Sequence, residues 1–182
     1  MRAFISLELP EETKDRIQLI QKKVLFSKEK LRVVSPSQLH ITLVFLPDLK
    51  KPEVQTVCKI LNTVVENRQP IQIDCGNLSG FPSDEKAGII VLKVSGETKK
   101  MQALSKSIRR GLDRYRIEYD HKPFVPHITL ARSRIRLNLT QVRSLAEIMF
   151  SLSALAKVSL YKSELTRNGP VYTQLHTTIL KA

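Results

Sequence analysis

Histidine is the side chain whose unperturbed pKa lies closest to neutrality, so matched histidines are the first place to look for acid–base chemistry. The chain has four, and two of them open an identical tetrapeptide: His40-Ile41-Thr42-Leu43 and His127-Ile128-Thr129-Leu130. Four histidines form only six pairs. At a per-position match of about 6%, the chance expectation for such a repeat is about 10⁻³. In a strand, side chains at i and i+2 share a face, so His40 projects beside Thr42 and His127 beside Thr129. On the opposite face Leu39, Ile41, Leu43 and Phe45 form one apolar row, and Ile128 and Leu130 form the other. Two facing imidazoles suit in-line displacement at phosphorus: one deprotonates the attacking oxygen, the other protonates the leaving oxygen. The threonine hydroxyls can donate to non-bridging phosphoryl oxygens, where charge must be held. There is no HExxH, no carboxylate cluster with imidazole and no GxxxxGK[ST] loop, so the expected chemistry needs no metal or other cofactor.

The elements that must position these residues follow from apolar periodicity. Helical spacing occurs around residues 11–25, 52–65, 97–115 and 140–150, the last with Val142, Leu145, Ala146 and Met149 on one side. Strands are expected at 2–9, 71–75, 87–94, 156–161 and 171–180, with the histidines on segments 39–46 and 127–132. The order of elements over 11–94 recurs over 97–180, displaced by roughly 85–90 positions, which predicts an internal duplication. The expected fold is α+β, one bilobal domain over residues 1–182. Each half forms an antiparallel sheet with helices on its outer face, and a cleft separates two lobes related by a pseudo-twofold.

Composition bounds the remaining possibilities. The chain has 182 residues, 30 Lys plus Arg against 17 Asp plus Glu, and a formal charge of +13. Such an excess favours an anionic partner, and a nucleic-acid face is the stronger reading. Basic residues concentrate at Lys99, Lys100, Lys106, Arg109, Arg110, Arg114 and Arg116, and again at Arg132, Arg134 and Arg136. No apolar run approaches the roughly 20 residues of a membrane-spanning helix. The first ten residues are too short and too acidic for a signal peptide, so a cytoplasmic protein without a membrane partner is expected. Two cysteines exclude a CxxC redox motif, and Cys58, in an apolar helical stripe, is expected to be buried and inert. His121 is expected in a solvated loop and His176 in a structural or exposed position. A twofold within one chain makes a monomer the simplest expectation.

At these residues the chain resembles the 2H phosphoesterase superfamily, named for its two HxTx motifs. More narrowly it resembles the RNA 2′,3′-cyclic phosphodiesterases, also called 2′-5′ RNA ligases. The resemblance runs nearly end to end. It takes in Arg2-Ala3-Phe4-Ile5, Leu39 to Leu43 with Phe45-Leu46, Gly80-Phe81-Pro82, Pro123 to Arg132, Leu160 to Leu165 and Gly169 to Tyr172. It departs at Pro47, where the family often has Gly, and at residues 87–92, which lack a tryptophan that many relatives carry.

The resemblance implies hydrolysis of an RNA terminal 2′,3′-cyclic phosphate to a 2′-phosphomonoester. By that analogy His40 is the proton donor to the departing 3′ oxygen and His127 the acceptor that activates water. Thr42 and Thr129 would hold the phosphate, and Arg132 matches a basic residue lining the family's cleft. Simple alternation puts Arg132 on the face opposite Thr129, so its inward placement requires a strand end or a bulge. The role of the missing tryptophan is either vacant here or taken by another ring, Phe81 or Phe124. Three alternatives stand beside this reading: 2′-5′ ligation as the reverse reaction, hydrolysis of a small cyclic phosphate of the ADP-ribose type, and a non-catalytic RNA-binding module.

Overall fold

Amphipathic and apolar stretches alternate along the chain and become elements in that order. The computed structural model describes residues 1–25, 31–140, 150–151, 154–167 and 169–181. The strands are β1 (Ala3–Glu8), β2 (Leu31–Val33), β3 (His40–Leu46), β4 (Ile73–Phe81), β5 (Ala87–Gly96), β6 (His127–Leu137), β7 (Phe150–Ser151), β8 (Lys157–Thr166) and β9 (Gly169–Ile179). The helices are α1 (Glu11–Leu25), α2 (Glu53–Val65) and α3 (Thr98–Arg114), and a 3₁₀ turn spans Pro36–Gln38. α1 starts behind Pro10 with Glu11 and Glu12 in its first turn and has Lys22 and Lys23 in its last, charges that complement the helix dipole. α3 buries Met101, Leu104, Ile108 and Leu112, four of the five apolar positions expected from spacing, whereas the fifth, Tyr115, caps the helix end and is exposed. The helix expected around 140–150 lies outside the described residues.

The strands form two antiparallel sheets, β3-β1-β8-β9 and β2-β6-β5-β4-β7, so the α+β expectation holds. The halves of the sequence, however, are not the sheets. Each half sends its histidine strand to one sheet and its following hairpin to the other: β3 and β4–β5 from the first, β6 and β8–β9 from the second. The connections explain this. A short link joins β4 to β5 and β8 to β9, so each pair must be antiparallel neighbours. The longer segment holding α2, between β3 and β4, lets the chain change sheets.

Both histidine strands carry the same irregularity. Ile5 pairs with Val44 and Ser6 with Thr42, leaving Leu43 as an extra residue in β3. Likewise Ile90 pairs with Ala131 and Val91 with Thr129, leaving Leu130 extra in β6. These are β-bulges at the fourth residue of each tetrapeptide. After a bulge the alternation resets, so Leu43 and Val44 are both buried, as are Leu130 and Ala131. Phe45 therefore leaves the apolar row predicted for it and turns to the histidine face. The same reset brings Arg132 round to the face of Thr129, as the resemblance requires.

The bulged carbonyls leave the regular ladder and need other partners, and that of Leu130 accepts from the Val34 backbone N–H at 2.8 Å. Ser105 Oγ of α3 donates to the Leu43 carbonyl at 2.9 Å. Gln21 Nε2 of α1 donates to the Leu130 carbonyl at 3.0 Å and to the Val34 carbonyl at 2.8 Å. Ser105 and Gln21 are among the few buried polar side chains, and the bulges explain their burial. The helices thus lie on the faces away from the histidines, sharing one continuous core with the sheets through Ile17, Leu61, Leu104 and Ile108.

Two stability measurements check the bulge. Ile41→Ala, beneath the histidine face and fully buried, should cost about 2–5 kcal/mol in denaturant unfolding. Phe45→Ala should cost clearly less; an equal loss would return Phe45 to the core. Ser105→Ala should cost about 1–3 kcal/mol by stranding the Leu43 carbonyl.

Candidate active site

The two imidazoles are held in the same way. His40 Nδ1 lies 2.7 Å from the Gln38 carbonyl, and His127 Nδ1 lies 2.7 Å from the Val125 carbonyl, in each case two residues upstream. A carbonyl oxygen only accepts, so Nδ1 carries the proton on both rings and Nε2 is left for chemistry. His40 Nε2 lies 3.0 Å from Thr42 Oγ1. With a neutral ring, the threonine hydroxyl is the donor in that bond.

Aromatic contacts orient the rings. His40 stacks on Phe4 at 4.7 Å between centroids and meets the edge of Tyr172 at 5.8 Å. Tyr172 in turn packs edge-on against Phe4 at 4.8 Å. Gln38, whose carbonyl anchors His40, donates from Nε2 to the Pro170 carbonyl at 2.6 Å, tying the 3₁₀ turn to the start of β9. His127 meets Phe81 edge-on at 5.0 Å. Phe81 is thus the ring beside the second histidine, whereas Phe124 packs against the core.

A cavity of about 660 Å³ opens between the sheets. His40, Thr42, Phe45 and Tyr172 line it from one sheet, and Thr129, Arg132 and Arg32 from the other. His127 stands two residues before Thr129 on the same strand face. A smaller recess of about 270 Å³ adjoins His40 on its other side, bounded by Glu8, Tyr161 and Tyr172.

His40 is half-buried, and burial is the largest cause that lowers its pKa to about 4. Electrostatic coupling to His127 and to the Arg132 guanidinium acts in the same direction, and the Gln38 carbonyl opposes it. That coupling ties His40, His127 and Arg132 into one electrostatic unit. Burial also raises the pKa of Tyr172, against the pull of Arg132 and Arg2.

The other expectations divide. His121 is exposed in a loop and rests on Tyr119 at 4.4 Å. His176 Nε2 bonds Asn62 Oδ1 at 2.9 Å, a structural tie between β9 and α2. Cys58 is only partly buried, because the edge of the α2 stripe faces outward, and burial still raises its pKa. The basic run of α3 lies on the helix's outer side, with Arg109 turned to the Lys122 carbonyl at 2.8 Å. The cleft cations are Arg2, Arg32 and Arg132 instead. Motif spacing did not assign roles to Phe4, Gln38 and Tyr172. The only signal for Gln38 was its place two residues before a motif histidine.

A neutral His40 couples stability to pH. Its folded pKa is about 4, whereas an unfolded imidazole titrates near 6.5, so the unfolded chain binds the proton first as pH falls. This contribution is full above about 6.5 and is lost progressively toward about 4. The melting temperature of the native chain should therefore fall further across that window than that of His40→Asn; identical falls would mean His40 titrates normally.

Comparison with known proteins adds the family. The model described as LigT like Phosphoesterase matches residues 7–91 and again 92–172. The RNA 2′,3′-cyclic phosphodiesterase of Methanothermobacter thermautotrophicus is 26% identical over 182 residues, covering 96% of each chain. That of Aquifex aeolicus is 29% identical over 177 residues, covering 95% of this chain and 94% of its own. The crystal structure of TT0787 of Thermus thermophilus superposes with a TM-score of 0.82 at 28% identity, covering 99% of this chain and 98% of that one. E. coli LigT complexed with 3′-AMP has the same fold, with a TM-score of 0.77 at 22% identity over 100% and 98% of the two chains. Two successive matches that together take in most of the sequence place this chain in the LigT-like phosphoesterase family.

Proposed function

We propose that the protein hydrolyses the 2′,3′-cyclic phosphate at an RNA terminus to a 2′-phosphomonoester, with His40 and His127 as its acid–base pair. The observation that carries this reading is the matched anchoring of the two rings. Each Nδ1 is tied to a carbonyl two residues upstream, which leaves each Nε2 available for proton transfer. The relatives named RNA 2′,3′-cyclic phosphodiesterases supply the substrate class.

The chemistry balances on these residues. His127 Nε2 takes a proton from water as the water oxygen bonds to phosphorus. The bond from phosphorus to the 3′ oxygen breaks, and His40 Nε2 delivers a proton to that oxygen. Thr42 and Thr129 donate to the non-bridging oxygens, and Arg132 offsets their charge. Burial, with the neighbouring Arg132 guanidinium, by itself keeps His40 neutral. A cyclic phosphodiester brings one negative charge to that spot and favours the protonated ring. A buried imidazolium is a stronger acid than a solvated one, which suits an alkoxide leaving group. Ligation to a 2′-5′ linkage is not the reverse of this step: a 5′-hydroxyl replaces water as the nucleophile, the 3′ oxygen still leaves, and the histidines keep their roles.

With a short RNA ending in a 2′,3′-cyclic phosphate, His40→Ala and His127→Ala should each lower kcat by about 10²–10⁴. Their melting temperatures should stay near that of the native chain. Native-like turnover in either variant would sink the acid–base assignment. The native rate should follow a bell-shaped pH profile that persists in EDTA, and loss on chelation with recovery on adding a divalent ion would indicate a metal-assisted mechanism.

A further inference from the structure

Arg2, Arg32 and Arg132 all line the larger cavity, and among the described residues no ion pair joins any of them to a carboxylate. Glu8, at the adjoining recess, is engaged by Ser159 and by Tyr161. Arg32 and Arg132 are moreover direct cross-strand partners in the β2–β6 ladder. Like charges placed opposite each other destabilise a sheet unless an anion lies between or beside them.

Packing holds both outer guanidiniums toward the cavity. Arg2 lies over the Phe45 ring, 5.2 Å from its centroid, on the residue the β3 bulge turned outward. Arg32 rests against Gly169, where a Cβ would sit 2.3 Å from Nη2. Gly169 also has φ +125°, a conformation that side-chain-bearing residues rarely adopt. Beside these cations the cavity presents Val33 and Leu165, 48% and 68% exposed. Unneutralised guanidiniums next to exposed apolar surface complement a ligand that alternates phosphates with nucleosides.

The geometry points to a second phosphate subsite, formed by Arg2 and Arg32, that holds the phosphodiester next to the terminal phosphate. It makes the cleft selective for the end of an RNA chain over a mononucleotide. The inference rests on the reading above, in which His40, His127, the threonines and Arg132 take the terminal phosphate. A cavity of about 660 Å³ gives room for more than one phosphoryl group.

Binding tests this independently of turnover. Isothermal titration would compare a short oligoribonucleotide ending in a 2′-phosphate with a nucleoside 2′-monophosphate. The native chain should bind the oligonucleotide at least about tenfold more tightly. Arg2→Ala and Arg32→Gln should each remove most of that advantage while leaving monophosphate affinity and melting temperature unchanged. The salt slope for the oligonucleotide should become shallower by about 0.7 per arginine lost. An oligonucleotide bound no tighter than the monophosphate, or variants that weaken both ligands equally, would overturn the subsite. A native chain that binds in this selective way yet cleaves no cyclic phosphate would sink the proposed reaction and leave the subsite standing.

Discussion

The site depends on one extra residue in each histidine strand. Regular alternation would place only His40 with Thr42, and His127 with Thr129, on the cleft face before the next cleft-facing residue fell at i+4. The bulges at Leu43 and Leu130 reset the period, so Phe45 and Arg132 arrive beside them. The cost is a backbone carbonyl taken out of the regular ladder at each bulge. Ser105 offsets that cost at Leu43, and Gln21 adds to the Val34 N–H in doing so at Leu130, each side chain from a helix on the far side of the strand. α3 supports the strand of the first histidine and α1 that of the second, so each half of the chain holds the bulge of the other.

That reciprocity matches the crosswise layout of the sheets. Because each half gives its histidine strand to one sheet and its hairpin to the other, neither sheet assembles from one half alone. The cleft is then bounded by both sheets, and residues far apart in sequence become electrically coupled. His40 feels His127 and Arg132, and this coupling adds to burial in keeping its ring neutral.

The two motifs are equal in sequence and unequal in setting. His40 is packed among Phe4 and Tyr172, whereas His127 has Phe81 against its edge. Beyond the bulges the equivalent positions are Phe45 and Arg132, one a platform for Arg2 and the other a cation in its own right. Unequal surroundings of this kind let two identical groups differ in proton affinity.

Much of this was legible from the residues alone. Two copies of His-Ile-Thr-Leu single out the candidate pair, because strand period two puts histidine and threonine on one face and aliphatics on the other. Helical spacing likewise locates the buried stripe of α3, since amphipathic burial is local. Three things were decided only by tertiary structure. The crosswise sheets depend on which strands meet across long connections, and no local pattern records that choice. The place of Phe45 turned on a bulge, for which an apolar residue next to an apolar run carries no mark. The clustering of Arg2, Arg32 and Arg132 joins three segments remote in sequence, while the conspicuous basic run of α3 faces away. Charge density along a chain is a local property; a phosphate site is a meeting of backbones.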